Sequence, residues 1–134
     1  MANNYQRIRI EEVVGNAGIG KVNVINFVGK RLEGDVLVEG LGEDLFDFVT
    51  NLLLGKDDNP KVLLNFTGVT YAKPAFGKLK RFRNLLVAGG GKLLSCCVGE
   101  DMFESFQNHG LLSPLGAGEE VDRDMVTTLE LFRV

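Results

Sequence analysis

Between Tyr5 and Val14 apolar and polar residues alternate, with Ile8 and Ile10 on one side and Arg7 and Arg9 on the other. A period of two predicts a half-buried strand. From Lys21 to Gly29 the alternation returns: Val22, Val24 and Asn26 share one face, Ile25 and Phe27 the other. The stretch Gly15-Asn16-Ala17-Gly18-Ile19-Gly20 lies between them, so the pair reads as an antiparallel hairpin. Its glycines loosely resemble a phosphate-binding loop. The order is G-x-x-G-x-G and no helix follows directly, which favours a hairpin turn.

The period then changes. Leu41, Leu45, Phe48 and Leu52 form one helical stripe, with Glu43, Asp44 and Asp47 on the solvated side and Gly55 as the stop. Lys61 to Val69 is a short Val- and Leu-rich run without a polar face, as expected of a strand buried on both sides. A second helix is expected from near Pro74, with Ala75, Leu79, Phe82 and Leu86 inward, widened by Phe76 and Leu85. Gly89-Gly90-Gly91 ends it, and Lys92 to Val98 is another strand. Asp101 to His109 reads as a short helix with Met102, Phe103 and Phe106 inward. Leu111 to Leu115 reads as a last short strand, and Val121 to Arg133 as a terminal helix carrying Met125, Leu129 and Phe132.

After the hairpin, strands alternate with helices, which predicts parallel crossovers. The expected fold is α/β: a single domain over residues 1–134, with a mixed four- to five-stranded sheet and about four helices mainly on one face. In such sheets the functional loops leave the carboxyl ends of strands. That singles out Thr70-Tyr71-Ala72-Lys73, between the most apolar strand and the most basic helix.

With 134 residues, 45% hydrophobic and 25% charged, the chain is long enough for one domain and unlike a disordered one. No apolar run approaches a membrane span, and Met1-Ala2-Asn3-Asn4 opens no signal peptide, so a cytoplasmic location is expected. The net charge of −3 argues against bulk attraction to nucleic acid. The average hides an asymmetry. Seven cations lie between Lys61 and Lys92, and residues 60–99 contain no acid. On a helical projection Lys80, Arg81 and Asn84 stand opposite the apolar stripe, with Lys78 and Arg83 on its shoulders.

Candidate chemistry is sparse. Cys96 and Cys97 are adjacent, so as strand neighbours they point to opposite faces and are expected as reduced thiols. A metal centre would need more ligands than the single His109 and these thiols supply. His109, just before Gly110, suits a helix C-terminus. Gly90-Gly91-Lys92 leads into a strand without a following Ser or Thr and is no nucleotide loop. Glu11-Glu12 and Glu119-Glu120 are not aimed at one point. No catalytic set is found, so the chain reads as non-enzymatic, with no cofactor and no metal.

An ordered set of short matches resembles the STAS domain, the family of bacterial anti-sigma factor antagonists that also occurs in sulfate transporters. Lys61 to Tyr71 (KVLLNFTGVTY) stands where the family has an apolar strand, then Asp-Leu-Ser-Gly-Val, then an aromatic residue. Phe76-Gly77-Lys78-Leu79 stands at its Leu-Gly-x-Leu, Gly89 to Leu93 at its Gly-Gly-x-Leu turn, and His109-Gly110-Leu111 at its x-Gly-Leu. Gly29-Lys30-Arg31-Leu32-Glu33 loosely resembles the Gly-x-Leu-Asp after the family's second strand, with Glu33 in the acid position. The likeness spans roughly residues 8 to 132. The family's switch serine lies just before Leu-Gly-x-Leu, where this chain reads Ala72-Lys73-Pro74-Ala75. The acceptor position falls on Pro74, or on Ala75 if a one-residue gap is placed differently; neither has a hydroxyl, and of the nearest hydroxyls, Thr67 and Thr70, the second at the strand end is the better substitute.

The resemblance implies an interaction module acting in bacterial signalling and transcription control. It would regulate an anti-sigma factor or kinase-like protein by direct binding, without phosphorylation at the usual serine. The partner surface it implies comprises Glu33, Thr70, Tyr71, Ala72, Lys73, Pro74, Ala75, Phe76, Lys80, Arg81 and Asn84. An alternative is a ligand-sensing module that holds a nucleotide, another anion or a lipid head group near the N-terminus of the second helix. A third is dimerisation through the sheet edge or the basic helix.

Overall fold

The computed structural model describes residues 5–15, 18–55 and 59–99, together with Met102, Glu104, Phe106, Asn108, Thr128, Leu129 and Phe132. Strand β1 (Ile8–Val14) pairs antiparallel with β2 (Lys21–Phe27), with Ile10 opposite Ile25. Gly15 donates to the Gly20 carbonyl at 2.8 Å and closes the hairpin. Helix α1 (Asp35–Leu53) then crosses to β3 (Lys61–Asn65), and α2 (Phe76–Ala88) crosses to β4 (Lys92–Cys96). The sheet order is β1-β2-β3-β4, and β2, β3 and β4 run parallel. The α/β class and the mixed sheet are as expected.

Of the four or so helices expected, two are described in full, α1 and α2, together with a 3-10 turn at Lys73–Ala75. Met102, Glu104, Phe106 and Asn108 are helical, and Met102 and Phe106 are buried as expected. The anticipated strand Leu111–Leu115, His109 and most of the terminal helix lie outside the described residues.

Alternation along the strands builds two cores. Ile8, Ile25, Val62 and Leu64 face α1 and α2, where Leu41, Leu45 and Phe48 meet Leu79, Phe82 and Leu86. Val22, Val24, Leu63, Leu94 and Cys96 face the other way and are covered by Ile19, Leu129 and Phe132. The central strands are therefore apolar on both sides, which explains why Lys61 to Leu64 shows no polar face. No helix among the described residues is long and apolar enough to cross a membrane.

Two strand ends come earlier than the apolar runs suggest. The β3 run stops at Asn65, whose side-chain oxygen accepts from the Thr67 amide at 3.1 Å and starts a turn. Gly68 completes that turn at φ 82°, a conformation costly for any residue with a Cβ. The β4 run stops at Cys96 because Cys97 takes φ 61°. This breaks the alternation. Cys96 and the half-buried Cys97 therefore pack on the same apolar cluster, not on opposite faces, and both are free thiols.

At the open edge, the Tyr5 hydroxyl donates to Asp47 at 2.9 Å and its ring stands edge-on to Phe48. Burial first, and then the Asp47 carboxylate, push the Tyr5 phenol from 10.0 up to about 12. The unfolded phenol loses its proton at lower pH than the folded one, so the unfolded state gains as pH rises. Stability should therefore fall between pH 10 and about 12. Urea midpoints measured across that range should show a shallower fall in Tyr5→Phe than in the parent. Parallel curves would contradict the assignment.

Candidate functional site

The turn at Thr67 and Gly68 sends the chain from the carboxyl end of β3 alongside the segment between β2 and α1. The Thr70 amide donates to the Lys30 carbonyl and the Leu32 amide to the Tyr71 carbonyl, each at 2.7 Å. These bonds make a short parallel bridge between Arg31 and Tyr71. The Thr70 hydroxyl adds a third bond to the Lys30 carbonyl at 3.2 Å. Thr70 is thus exposed but already partnered.

Arg31 joins the two segments a second way. Its guanidinium lies 4.5 Å over the Tyr71 ring and pairs with the Glu33 carboxylate. That hydrogen bond holds the Glu33 carboxyl below its ordinary value and the Arg31 guanidinium above its own. The sequence reading selected Glu33, Thr70 and Tyr71, and the structure brings all three together. It missed Arg31, the residue that links them. The signal was a cation two positions before an acid, a spacing that puts both side chains on one side of an extended segment.

The remaining selected residues divide by exposure. Ala72, Ala75 and Phe76 are buried, and Phe76 stands edge-on to Phe106 at 5.1 Å between ring centres. None of these three side chains is a surface contact. Lys73, Pro74, Lys80, Arg81 and Asn84 are exposed. Gly77, Lys80 and Asn84 recur at i, i+3 and i+7 of α2, so they share one helical side, and Lys73 is exposed in the 3-10 turn that leads into it. A Cβ built at Gly77 would meet nothing within 4 Å. This side is open surface, and Gly77 is its low point.

The other cations of α2 turn toward α1. The Lys78 ammonium sits 3.4 Å from the Glu39 carboxylate, and its stem crosses Gly42, where a Cβ would come within 2.7 Å of it. Arg81 lies 5.5 Å from the ring centre of Phe46. Between the helices is a cleft of about 230 Å³ lined by Glu39, Glu43, Phe46, Lys78, Arg81 and Leu85, among others. A wider one of about 680 Å³, beside Arg7, also carries Glu39 and Glu43 with Asp35 and Asp44. Of the cations in the acid-free segment, Lys78 thus meets an acid supplied by α1, and Arg81 an aromatic ring. Among the described residues, Lys73 and Lys80 form no ion pair.

The arrangement offers a pinned loop, a cationic helical side and a glycine gap. Compared with known proteins, the chain matches no family model and no curated sequence.

Proposed function

We propose that this protein is a non-enzymatic interaction module of the anti-sigma factor antagonist type, which binds an acidic surface on a regulatory, kinase-like partner. The observation that carries the reading is the open side Gly77–Lys80–Asn84 with Lys73 at its entrance, set beside the pinned Thr70–Pro74 loop at the carboxyl end of a parallel strand. The resemblance of the same segment to the STAS domain supports it. So does the order of strands and helices, with an antiparallel hairpin leading into parallel β2, β3 and β4. Lys73 and Lys80 supply charge, and Gly77 lets a partner approach the helix backbone. Pro74 stands at the switch position without a hydroxyl, so binding is constitutive there. Both clefts described above carry carboxylates, which disfavours a small anion as their occupant.

Binding to the anti-sigma kinases of the source organism, titrated by fluorescence anisotropy, tests the reading. Affinity should fall as salt rises. Lys73→Glu with Lys80→Glu should weaken it by about tenfold or more, as expected for charges that meet opposite charges. Gly77→Leu should abolish it without lowering stability, because the site has room for a side chain and leucine is the better helix former. Absence of binding, or binding indifferent to these changes, would overturn the proposal. Incubation with kinase and ATP should leave residues 70–77 unmodified, and phosphate on Thr70 would refute the constitutive form.

A further inference from the structure

We infer that β1 is a self-recognising edge through which two copies of this chain pair their sheets antiparallel, about a two-fold axis at Ile10. Among the described residues β1 has a strand on one side only. The hairpin bonds show which groups it leaves over. Val28 donates to the Arg7 carbonyl at 3.0 Å, and Gly15 to the Gly20 carbonyl at 2.8 Å. Bonding in an antiparallel ladder alternates, so odd-numbered residues from Arg9 to Gly15 turn their backbone groups toward β2, while the Arg7 amide donates to the Asp44 carboxylate of α1 at 2.9 Å. Ile8, Ile10 and Glu12 then turn theirs outward, a row of donors and acceptors that invites another strand.

The side chains decide which strand fits. Outward residues must meet outward residues, so a self-pairing two-fold can sit only at a residue position. Centred on Ile10, the ladder bonds Ile10 to Ile10 and Ile8 to Glu12. It leaves Arg9 opposite Glu11 of the second copy, twice, in the non-bonded pairs where side chains come closest. Every other nearby register opposes like charges. A two-fold at Arg9 sets Arg9 against Arg9, one at Glu11 sets Glu11 against Glu11, and one at Ile8 sets Arg7 against Arg9. A two-fold at Glu12 sets Glu12 against Glu12. The charge order of β1 is therefore complementary to its own reverse in one register alone.

Both residues are available for this. Arg9 and Glu11 are exposed, on the sheet face away from α1 and α2. Arg9 donates to the Tyr5 carbonyl at 3.2 Å through one of its terminal nitrogens, leaving donors for a carboxylate. Glu12, on the other face, is held 3.2 Å from Lys21 of its own hairpin. The edge lies apart from the Lys73–Asn84 surface, so a pair would present that surface twice.

Light scattering on a size-exclusion column, over a concentration series, tests the edge. The parent should approach twice the chain mass of 14.7 kDa. Arg9→Glu sets a new carboxylate against Glu11 of the second copy, and Glu11→Arg sets a new guanidinium against Arg9. Each variant alone should dissociate about tenfold more readily or further. Mixed in equal amounts they should pair with each other, because every opposing couple is then complementary, and that recovery also shows both to be folded. The double variant carrying both changes should dimerise like the parent. A parent that is monomeric throughout, single variants that dimerise as well as the parent, or a mixture that stays monomeric would each overturn the inference.

Discussion

Truncating Phe66 to alanine is expected to remove about 3–5 kcal/mol of folding stability. Phe66 is fully buried just past β3 and joins elements distant in sequence. Its ring stacks on Phe27 at 4.8 Å between centres, 22° from parallel, and receives Phe106 edge-on at 4.6 Å. Phe106 in turn stands edge-on to Phe76 at the start of α2. The four rings form one row from the hairpin to the base of the candidate surface. Loss of Phe66 leaves a cavity in that row as well as forfeiting the transfer energy of the ring. A domain of this size holds a net stability of about 5–15 kcal/mol, so one truncation takes a large share.

Urea unfolding followed by circular dichroism gives the measurement. The midpoint should fall by about 2 M with the slope unchanged. Phe66→Leu, which keeps most of the volume, should cost about 1–1.5 kcal/mol. Phe46→Ala is the contrast: Phe46 is 50% exposed and its ring supports Arg81, so its loss should cost about 1 kcal/mol or less. A Phe66→Ala protein within about 1 kcal/mol of the parent would mean that the aromatic row closes over the gap.

The hairpin, the inward stripes of both helices and the apolar β3 were legible because each follows a local period. Val22, Val24 and Asn26 do share a face, as do Ile25 and Phe27. What local pattern could not show was tertiary pairing. An acid-free segment suggested a free cationic surface, yet Glu39 lies beside Lys78 and Phe46 beside Arg81. Those partners are more than thirty positions apart and meet only because α1 and α2 pack side by side. The free cations are correspondingly fewer, with Lys73 and Lys80 the clearest. Phe76 follows the period that widened the inward stripe, since its ring turns to Phe106, and the partner contact implied for it by the resemblance is buried. Cys97 departs from strand geometry for a reason the sequence did not carry: nothing in Ser95-Cys96-Cys97-Val98 marks a positive φ.

Replacing Asn65 with alanine should cost about 2 kcal/mol and loosen the candidate surface, although Asn65 does not belong to it. Its amide nitrogen donates to the Asn26 side-chain oxygen at 2.8 Å, tying β3 to β2. Its oxygen accepts from the Thr67 amide at 3.1 Å and the Thr67 hydroxyl at 2.7 Å, with the Cys96 thiol at 3.6 Å. The first two bonds set the turn that aims Thr70 at Lys30. Alanine leaves the Asn26 oxygen without its partner in half-buried ground, where water replaces it only in part, and frees the exposed Thr67 amide from the turn. Amide exchange at Thr70 and Leu32, whose N–H groups pin the loop, should accelerate more than exchange at Leu63 or Leu64 in the body of β3. Asn65→Asp keeps the acceptor for Thr67, and the Asn26 amide can turn to donate to it, so this variant should retain most of the stability and slow exchange at Thr70. If alanine and aspartate are equally damaging, the Asn26 amide does not turn, and its bond to Asn65 matters where the Thr67 turn does not. If neither changes exchange at Thr70 and Leu32, the loop is held by its own bonds to Lys30 and Tyr71 without help from Asn65.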